Sequence, residues 1–349
     1  MVATATVKVM SAEEIAAQAG GETPYFHPPQ ASTVFAERQM RLRQLAQGHA
    51  MQDFLLFTSD LARAQQAQLS AFPSVPVPDH TAMDVAARMG MPPLPAVDWP
   101  RDAAWRAALR ALVADLKTTA PHPVQPTLDA LAAASDDHLE AQADCLLTGV
   151  MKGLDLASAP IVAAALQVYW THLVSEVQRQ HKGGGQVFGR LDDATLCPCC
   201  GSKPTSSITR TAGNAPGQRY LHCSLCGMQW HLQRTRCSHC LSDKSLAYQS
   251  LEVAAAGAGT AGDAEAASAR AAQAPVQAET CDECGHYLKI VHADRDPFVD
   301  PVADDLASLT LDLLVSDEGK QRHGVNLMLL FGEPAEEPPH IDAPPPGDA

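Results

Sequence analysis

Eight of the ten cysteines in this chain fall into four Cys-x-x-Cys pairs: Cys197/Cys200, Cys223/Cys226, Cys237/Cys240 and Cys281/Cys284. Two intervening residues let a tight backbone turn aim both sulfurs at one ion, at ~2.3 Å for zinc. Gly201, Gly227 and Gly285 follow the second cysteine of three pairs, and glycine supplies the positive φ that such a knuckle needs. In the third pair that place is taken by Leu241. Two knuckles give four thiolates and a closed tetrahedral shell, so four knuckles predict two sites. Sequential grouping places Cys197, Cys200, Cys223 and Cys226 in one site and Cys237, Cys240, Cys281 and Cys284 in the other. Crossed grouping is also geometrically open.

Disulfides would need an oxidising compartment, and nothing here signals export. The Met1–Lys8 start lacks a basic stretch leading into a long apolar run. A thioredoxin-like reading of Cys197-Pro198-Cys199-Cys200 needs one pair at a helix start, not four pairs between short strands. Metal is therefore favoured over disulfide or redox chemistry. Of the two remaining cysteines, Cys145 sits on an apolar helical face and reads as a small core residue, and Cys199 as a solvent-facing knuckle residue. His222, His231 and His239 flank the knuckles. The sulfur sets are complete without them, so they read as residues backing the ligands. No catalytic or cofactor-binding residue is expected: there is no P-loop, Rossmann glycine fingerprint or nucleophile elbow, and closed thiolate sites leave no open position for substrate. The pair Asp304-Asp305 reads as the solvated face of a helix turn. The expectation is that the chain is not an enzyme.

The elements that must carry these knuckles follow from the rest of the chain. Its 349 residues are 46% apolar and only 5% aromatic, enough for two or three domains. The fold class expected is α+β, mainly α: a helical N-terminal domain, two tandem rubredoxin-like or zinc-ribbon modules, and a C-terminal helix. Residues 1–30 read as a loose N-terminal segment and 31–182 as the helical domain. Phe35, Leu42 and Leu45, then Leu61 and Leu69, then Trp105, Leu109, Leu112 and Leu116 recur at helical spacing. Thr81 is expected to cap a short helix, and Asp136-Asp137 to open another. A longer helix is expected over 159–181, with Val162, Leu166, Tyr169, Leu173 and Val177 inward. Gly183-Gly184-Gly185 ends it, since each glycine costs ~1 kcal/mol relative to alanine in a helix.

Residues 183–240 then hold a linker and the first module, together with the first knuckle of the second, and 237–295 hold the second module. Short strands are expected at 207–210, 219–222 and 229–232. Tyr220 and Trp230 read as packing for a ribbon with little core of its own, in which the ion supplies much of the folding energy. Residues 254–278 contain thirteen alanines and read as a low-complexity loop within the second module. Residues 296–332 form the C-terminal helical segment, with Pro301 in a first turn, Val302, Leu306, Leu309 and Leu313 on one face, and Gly319 at the end. Residues 333–349, with six prolines and five acids, read as a disordered tail.

Charge argues against a nucleic-acid partner. The formal net charge is −15. The 197–291 region is nearly neutral, and eight thiolates with two divalent ions would take it to about −3, which offers no field for phosphates. No stretch approaches the ~18 apolar residues of a membrane helix, so membrane insertion is not expected and a cytoplasmic location is.

The run Cys197-Pro198-Cys199-Cys200-Gly201-Ser202, the run Arg219-Tyr220-Leu221-His222-Cys223-Ser224-Leu225-Cys226, then Trp230-His231 and Arg236-Cys237-Ser238-His239-Cys240 resemble the formate dehydrogenase accessory (formation) protein family, FdhE-type. The later runs 281–289, 302–309 and 324–330 resemble it too, and Phe35-Ala36-Glu37-Arg38 more weakly. The resemblance implies a cytoplasmic chaperone or maturation factor that binds the formate dehydrogenase catalytic subunit. It also implies two rubredoxin-like irons, with zinc as the other candidate, held by the eight paired cysteines. A homodimer is left open. The departures are Cys199, Leu241 and the alanine-rich insert. The rival readings are an iron-thiolate redox or metal-transfer protein and, behind it, a nucleic-acid-binding zinc ribbon.

Overall fold

The computed structural model describes residues 24–181, 187–212, 215–251 and 273–330. The expected tail, the triple-glycine break and residues 254–272 of the alanine-rich insert lie outside the described residues. So do residues 1–23 of the expected loose N-terminus.

Among the described residues seven α-helices make the N-terminal half: α1 (Val34–Ala46), α2 (Gln52–Ser70), α3 (His80–Arg88), α4 (Ala104–Leu116), α5 (Gln125–Ala133), α6 (Asp136–Thr148) and α7 (Ala159–Gln180). Pro160 sits in the first turn of α7, where its missing N–H costs nothing. Sixteen of the 22 residues of α7 are buried. The expected inward stripe is therefore only part of its contact surface. Ala163, Ala164, Val168, Trp170 and Val174 fill its other faces, which is the pattern of a helix enclosed on all sides. The short helix α3 is capped by Asp79, whose carboxylate accepts from the Ala82 amide at 2.8 Å, not by Thr81. Ser135 caps α6, and Asp136 and Asp137 occupy its first turn as expected.

The strands are β1 (Phe26–His27), β2 (Pro204–Ala212), β3 (Ala215–Cys223), β4 (Gln229–His231), β5 (Leu246–Gln249), β6 (Val276–Cys281), β7 (His286–His292) and β8 (Gln321–Arg322). They form one sheet in the order β1-β4-β3-β2-β7-β6-β5, with β8 also pairing β7. The two cysteine-bearing ribbons are thus joined edge to edge. The parallel pair β2–β7, from Ser207↔Ile290 to Thr209↔His292, closes the seam, and two ribbon edges that would otherwise be exposed satisfy each other. Residues 24–30, expected to be loose, supply edge strand β1, tied down by the Tyr220 hydroxyl donating to Pro24 O at 2.8 Å. The end of the expected low-complexity loop, residues 276–278, opens β6.

The C-terminal segment departs most from expectation. It forms two short helices, α8 (Ala303–Ala307) and α9 (Leu309–Asp317), broken at Ser308. After the break Leu313 is 62% exposed, and Leu311, Asp312 and Val315 face inward instead. Asp304 and Asp305 are each only 2% exposed, so they are not a solvated face. Arg41 on α1 donates to Asp304 through Nε and Nη2, the shorter contact 2.6 Å. Asp305 meets Lys289 Nζ at 3.0 Å and receives two bonds from Arg322. Lys289 and Arg322 also hold Asp312. Burial raises both aspartates' pKa values. For Asp304 that effect wins over Arg41, whereas for Asp305 the two cations beside it reverse the shift and hold its carboxyl below the usual range.

Truncating one member of such a pair strands a buried charge. Arg41→Ala is expected to cost about 3–5 kcal/mol in urea unfolding. Arg43→Ala, at an exposed side chain that bonds Ser59 and half-buried Asp60, strands no fully buried charge and should cost about 1 kcal/mol. A second test concerns His292, fully buried at the seam with its Nε2 2.8 Å from Gln277 Oε1. Burial pushes its pKa down to about 4 from 6.5. A depressed folded value means that the stabilisation is complete above pH 6.5 and is lost as pH falls toward 4, because only the unfolded chain takes the proton. Stability measured from pH 7 to pH 4 should therefore fall less steeply in His292→Gln, by up to about 3 kcal/mol over that window.

Candidate metal centres

The knuckles share one backbone design. In the first, Gly201 N donates to Cys197 O at 2.8 Å and Cys197 N to Ser202 O at 3.0 Å. The third repeats both bonds with Leu241 N to Cys237 O and Cys237 N to Ser242 O, and in the fourth Gly285 N donates to Cys281 O. The residue after the second cysteine has φ +74° at Gly201, +72° at Gly227 and +69° at Gly285. Leu241 adopts the same left-handed conformation at +61°, at a cost of about 1–2 kcal/mol. Its partly buried side chain packs on the core, so the departure from glycine leaves the knuckle's shape unchanged.

The eight sulfurs gather into two groups of four, in the sequential pairing. In the first, Cys197 and Cys226 Sγ are 3.5 Å apart, Cys200 and Cys223 3.4 Å, and Cys200 and Cys226 3.7 Å. In the second, Cys237–Cys284 and Cys240–Cys281 are each 3.8 Å. Tetrahedral ligands at ~2.3 Å lie about 3.8 Å from one another, whereas a disulfide is ~2.05 Å. None of the ten cysteines is disulfide-bonded. Both groups therefore fit a thiophilic cation, and each can hold one.

Their surroundings differ. The first group is wholly buried, and its backbone is stitched to the helical half. Leu94 N donates to Cys199 O and Ala96 N to Cys200 O, each at 2.9 Å. From α7, Gln167 Nε2 donates to Ser224 O at 2.7 Å and Thr171 Oγ1 to Cys226 O at 3.4 Å. Gln167 Oε1 in turn accepts from Gln65 on α2. Cys199, expected to face solvent, is 0% exposed and lies in this core, because the segment around Leu94–Ala96 covers the first knuckle. Burial pushes the Cys199, Cys223 and Cys226 thiols well up. At Cys197 burial acts the same way, but the surrounding thiols, Cys199 first among them, donate to its sulfur and bring it well below the ordinary range. In the second group Cys240 is exposed and Cys284 half-buried.

The flanking histidines divide. His222 is buried, its Nδ1 3.3 Å from Gln229 Nε2, and burial lowers its pKa to about 3. His231 bonds Gln218 and stacks edge-on against Tyr220. Both brace the β3–β4 strands. Only His239 stands at a sulfur group: its amide donates to Cys237 Sγ at 3.3 Å. His286 and His323 join it there. Sequence reasoning passed over both, although His286 lies two residues beyond Cys284. Cys145, expected in the core, is half-buried and lines a cleft of about 440 Å³ with Thr148, Leu196, Lys203 and Leu225.

Family models described as FdhE N-terminal, FdhE central domain and FdhE C-terminal domain match residues 23–183, 196–234 and 235–329. This chain belongs to the FdhE family. It is 38% identical over 309 residues to a protein FdhE homolog of Pseudomonas aeruginosa, spanning 88% of this chain and 94% of that one. It is 36% identical over 307 residues to a protein FdhE homolog of Cronobacter sakazakii, spanning 87% and 91%. The crystal structure of the FdhE protein from Pseudomonas aeruginosa superposes with a TM-score of 0.75 at 36% identity, covering 89% of this chain and all of that one. The fold, with helices first and the cysteine-bearing sheet after them, is that of FdhE. Among the described residues no helix is long and apolar enough to cross a membrane.

The contrast in burial sets a testable asymmetry. In metal-free protein, Cys226→Ser buries a hydroxyl among sulfurs and should destabilise by about 1–3 kcal/mol. Cys240→Ser, at an exposed position, should stay within about 0.5 kcal/mol. Urea unfolding in the presence of a chelator measures both.

Proposed function

We propose that this FdhE-family chain is an accessory protein for the maturation of formate dehydrogenase, acting in the cytoplasm by binding the catalytic subunit. Cys197, Cys200, Cys223 and Cys226 ligate one ion, and Cys237, Cys240, Cys281 and Cys284 ligate a second. The observation that carries the reading is the pairing of FdhE membership with two four-sulfur groups of tetrahedral spacing. A bound iron or zinc would supply a crosslink between knuckles that a ribbon with little core otherwise lacks. The chain's own residues do the rest: the knuckle amides hold the sulfurs in place, and α7 fixes the first group against the helical half.

A closed sulfur shell offers no substrate position, which favours a scaffolding role over catalysis. Metal transfer stays in view as a second reading because Cys240 is exposed. Three experiments test the proposal. Anaerobically purified protein should carry close to two ions per chain, falling by one in Cys240→Ser. Visible absorption after mild oxidation would identify iron-thiolate, whereas a zinc-loaded protein stays colourless and elemental analysis gives its metal. Tagged full-length protein should retain the formate dehydrogenase catalytic subunit from an extract of its own cells. Full formate dehydrogenase activity in a strain lacking the chain would overturn the assignment.

A further inference from the structure

Beside the more open sulfur group lies a second constellation of ligating atoms that the four-cysteine reading leaves unused. His239, Cys284 and His286 bring one ligand atom each to within 4.8 Å of one another. They come from two pieces of chain: His239 from the third knuckle, and Cys284 and His286, two residues apart, from the end of the fourth knuckle and the start of β7. The His239 and His286 rings stack with centroids 3.9 Å apart and planes 16° off parallel. His323, just after β8, packs on His239 at 5.2 Å and bonds Ser238 Oγ through Nε2 at 2.9 Å. His239 is exposed, whereas Cys284 and His286 are half-buried.

The tautomer of His286 follows from geometry. Its Nδ1 lies 2.7 Å from Cys284 O. A carbonyl only accepts, so that nitrogen carries the hydrogen, and Nε2 keeps its lone pair free. A backbone carbonyl that orients the far nitrogen in this way is the usual support of a metal-ligating imidazole. Stacked rings send their in-plane lone pairs side by side, not toward one point. An ion shared between them is bound only once exposed His239 turns about its side-chain bonds. That suits a transient holder, not a structural one.

We infer that Cys284 belongs to two overlapping ligand sets: the closed four-sulfur set, and an open set with His239 and His286 that receives a borderline divalent cation from solvent and passes it inward. The inference rests on the four-sulfur assignment above. One nitrogen-rich set with a solvent-open position suits Zn²⁺ or Co²⁺. The transfer involves ligand exchange only: the cation keeps its charge, each imidazole leaves as a neutral ring, and any thiol that takes its place gives its proton to solvent. The first sulfur group is buried on every side, has no such antechamber among the described residues, and serves as the internal control.

Cobalt is the probe. Full-length protein loaded anaerobically with Co²⁺ should show intense sulfur-to-cobalt charge transfer for two tetrathiolate sites. Its absence would sink the four-sulfur assignment, and this inference with it. Given that spectrum, Zn²⁺ added in excess should displace one cobalt quickly and the other slowly. In His239→Ala and His286→Ala the fast phase should slow about tenfold, the scale on which groups supporting a metal site act, while the slow phase stays unchanged. A fast phase that keeps its rate in both variants overturns the inference but leaves the four-sulfur assignment standing. Should either alanine variant fail to fold, His239→Gln, at an exposed position, gives the same readout.

Discussion

Gathering four thiolates at one buried point is prohibitive unless a cation shares the site, and this constraint organises the molecule. The first sulfur group lies at the centre of the protein, not at the tip of an appended finger. Its knuckle carbonyls accept from Leu94, Ala96, Gln167 and Thr171, so the backbone that shapes the cage is also the backbone that docks the helical half. Helix α7 can be buried around most of its circumference because one face packs on the knuckles, through Gln167 and Thr171, while the others meet α2, α4 and α6. Cage geometry and helical packing are therefore a single problem with a common solution. A ribbon too small for a core of its own borrows one from the helices.

The second group is built by the same local rules and placed under opposite conditions. Its knuckles repeat the first group's turn bonds, down to a leucine forced into a left-handed backbone where the others have glycine. The continuous sheet keeps it in register with the first group, since β2 and β7 pair directly across the seam. It lies toward the edge, with Cys240 open to water. One scaffold thus carries a sealed cage and an accessible one, and the difference arises from what covers each, not from the ligands.

The knuckles were legible in the sequence because Cys-x-x-Cys is a local pattern whose chemistry depends on spacing alone. The strands at 207–210, 219–222 and 229–232 and the long helix over 159–181 were legible for the same reason: their periodicity is intrinsic. What was not legible depended on distant partners. Asp304 and Asp305 look like first-turn charges until Arg41, some 260 residues away in sequence, and Lys289 arrive beside them. Cys199 looks solvent-facing because nothing local announces that Leu94 will cover it. The break at Ser308 is equally non-local: its hydroxyl bonds Asp304 O and receives Lys289 Nζ, so the helix ends where the buried lysine must enter. His323 reaches the neighbourhood of His239 and His286 through the β7–β8 pairing, which the knuckle motif does not encode.

These long-range charges bear on how the open site is completed. Buried ions are tolerable only with every partner present, so Asp305, Asp312, Lys289 and Arg322 favour docking of the C-terminal segment as a unit. Arg322 locks into that cluster, and His323, next in the chain, bonds Ser238 between the third knuckle's cysteines. Gly324 then passes so close that a Cβ there would meet Leu288 and the Thr205 carbonyl at 2.5 and 2.6 Å, and Val325 N closes on Pro204 O at the start of β2. The chain thus runs from a buried ion cluster to the rim of the second sulfur group and back to the first ribbon within four residues. A charge network with no ligand of its own thereby sets the position of the residues around the exposed cage.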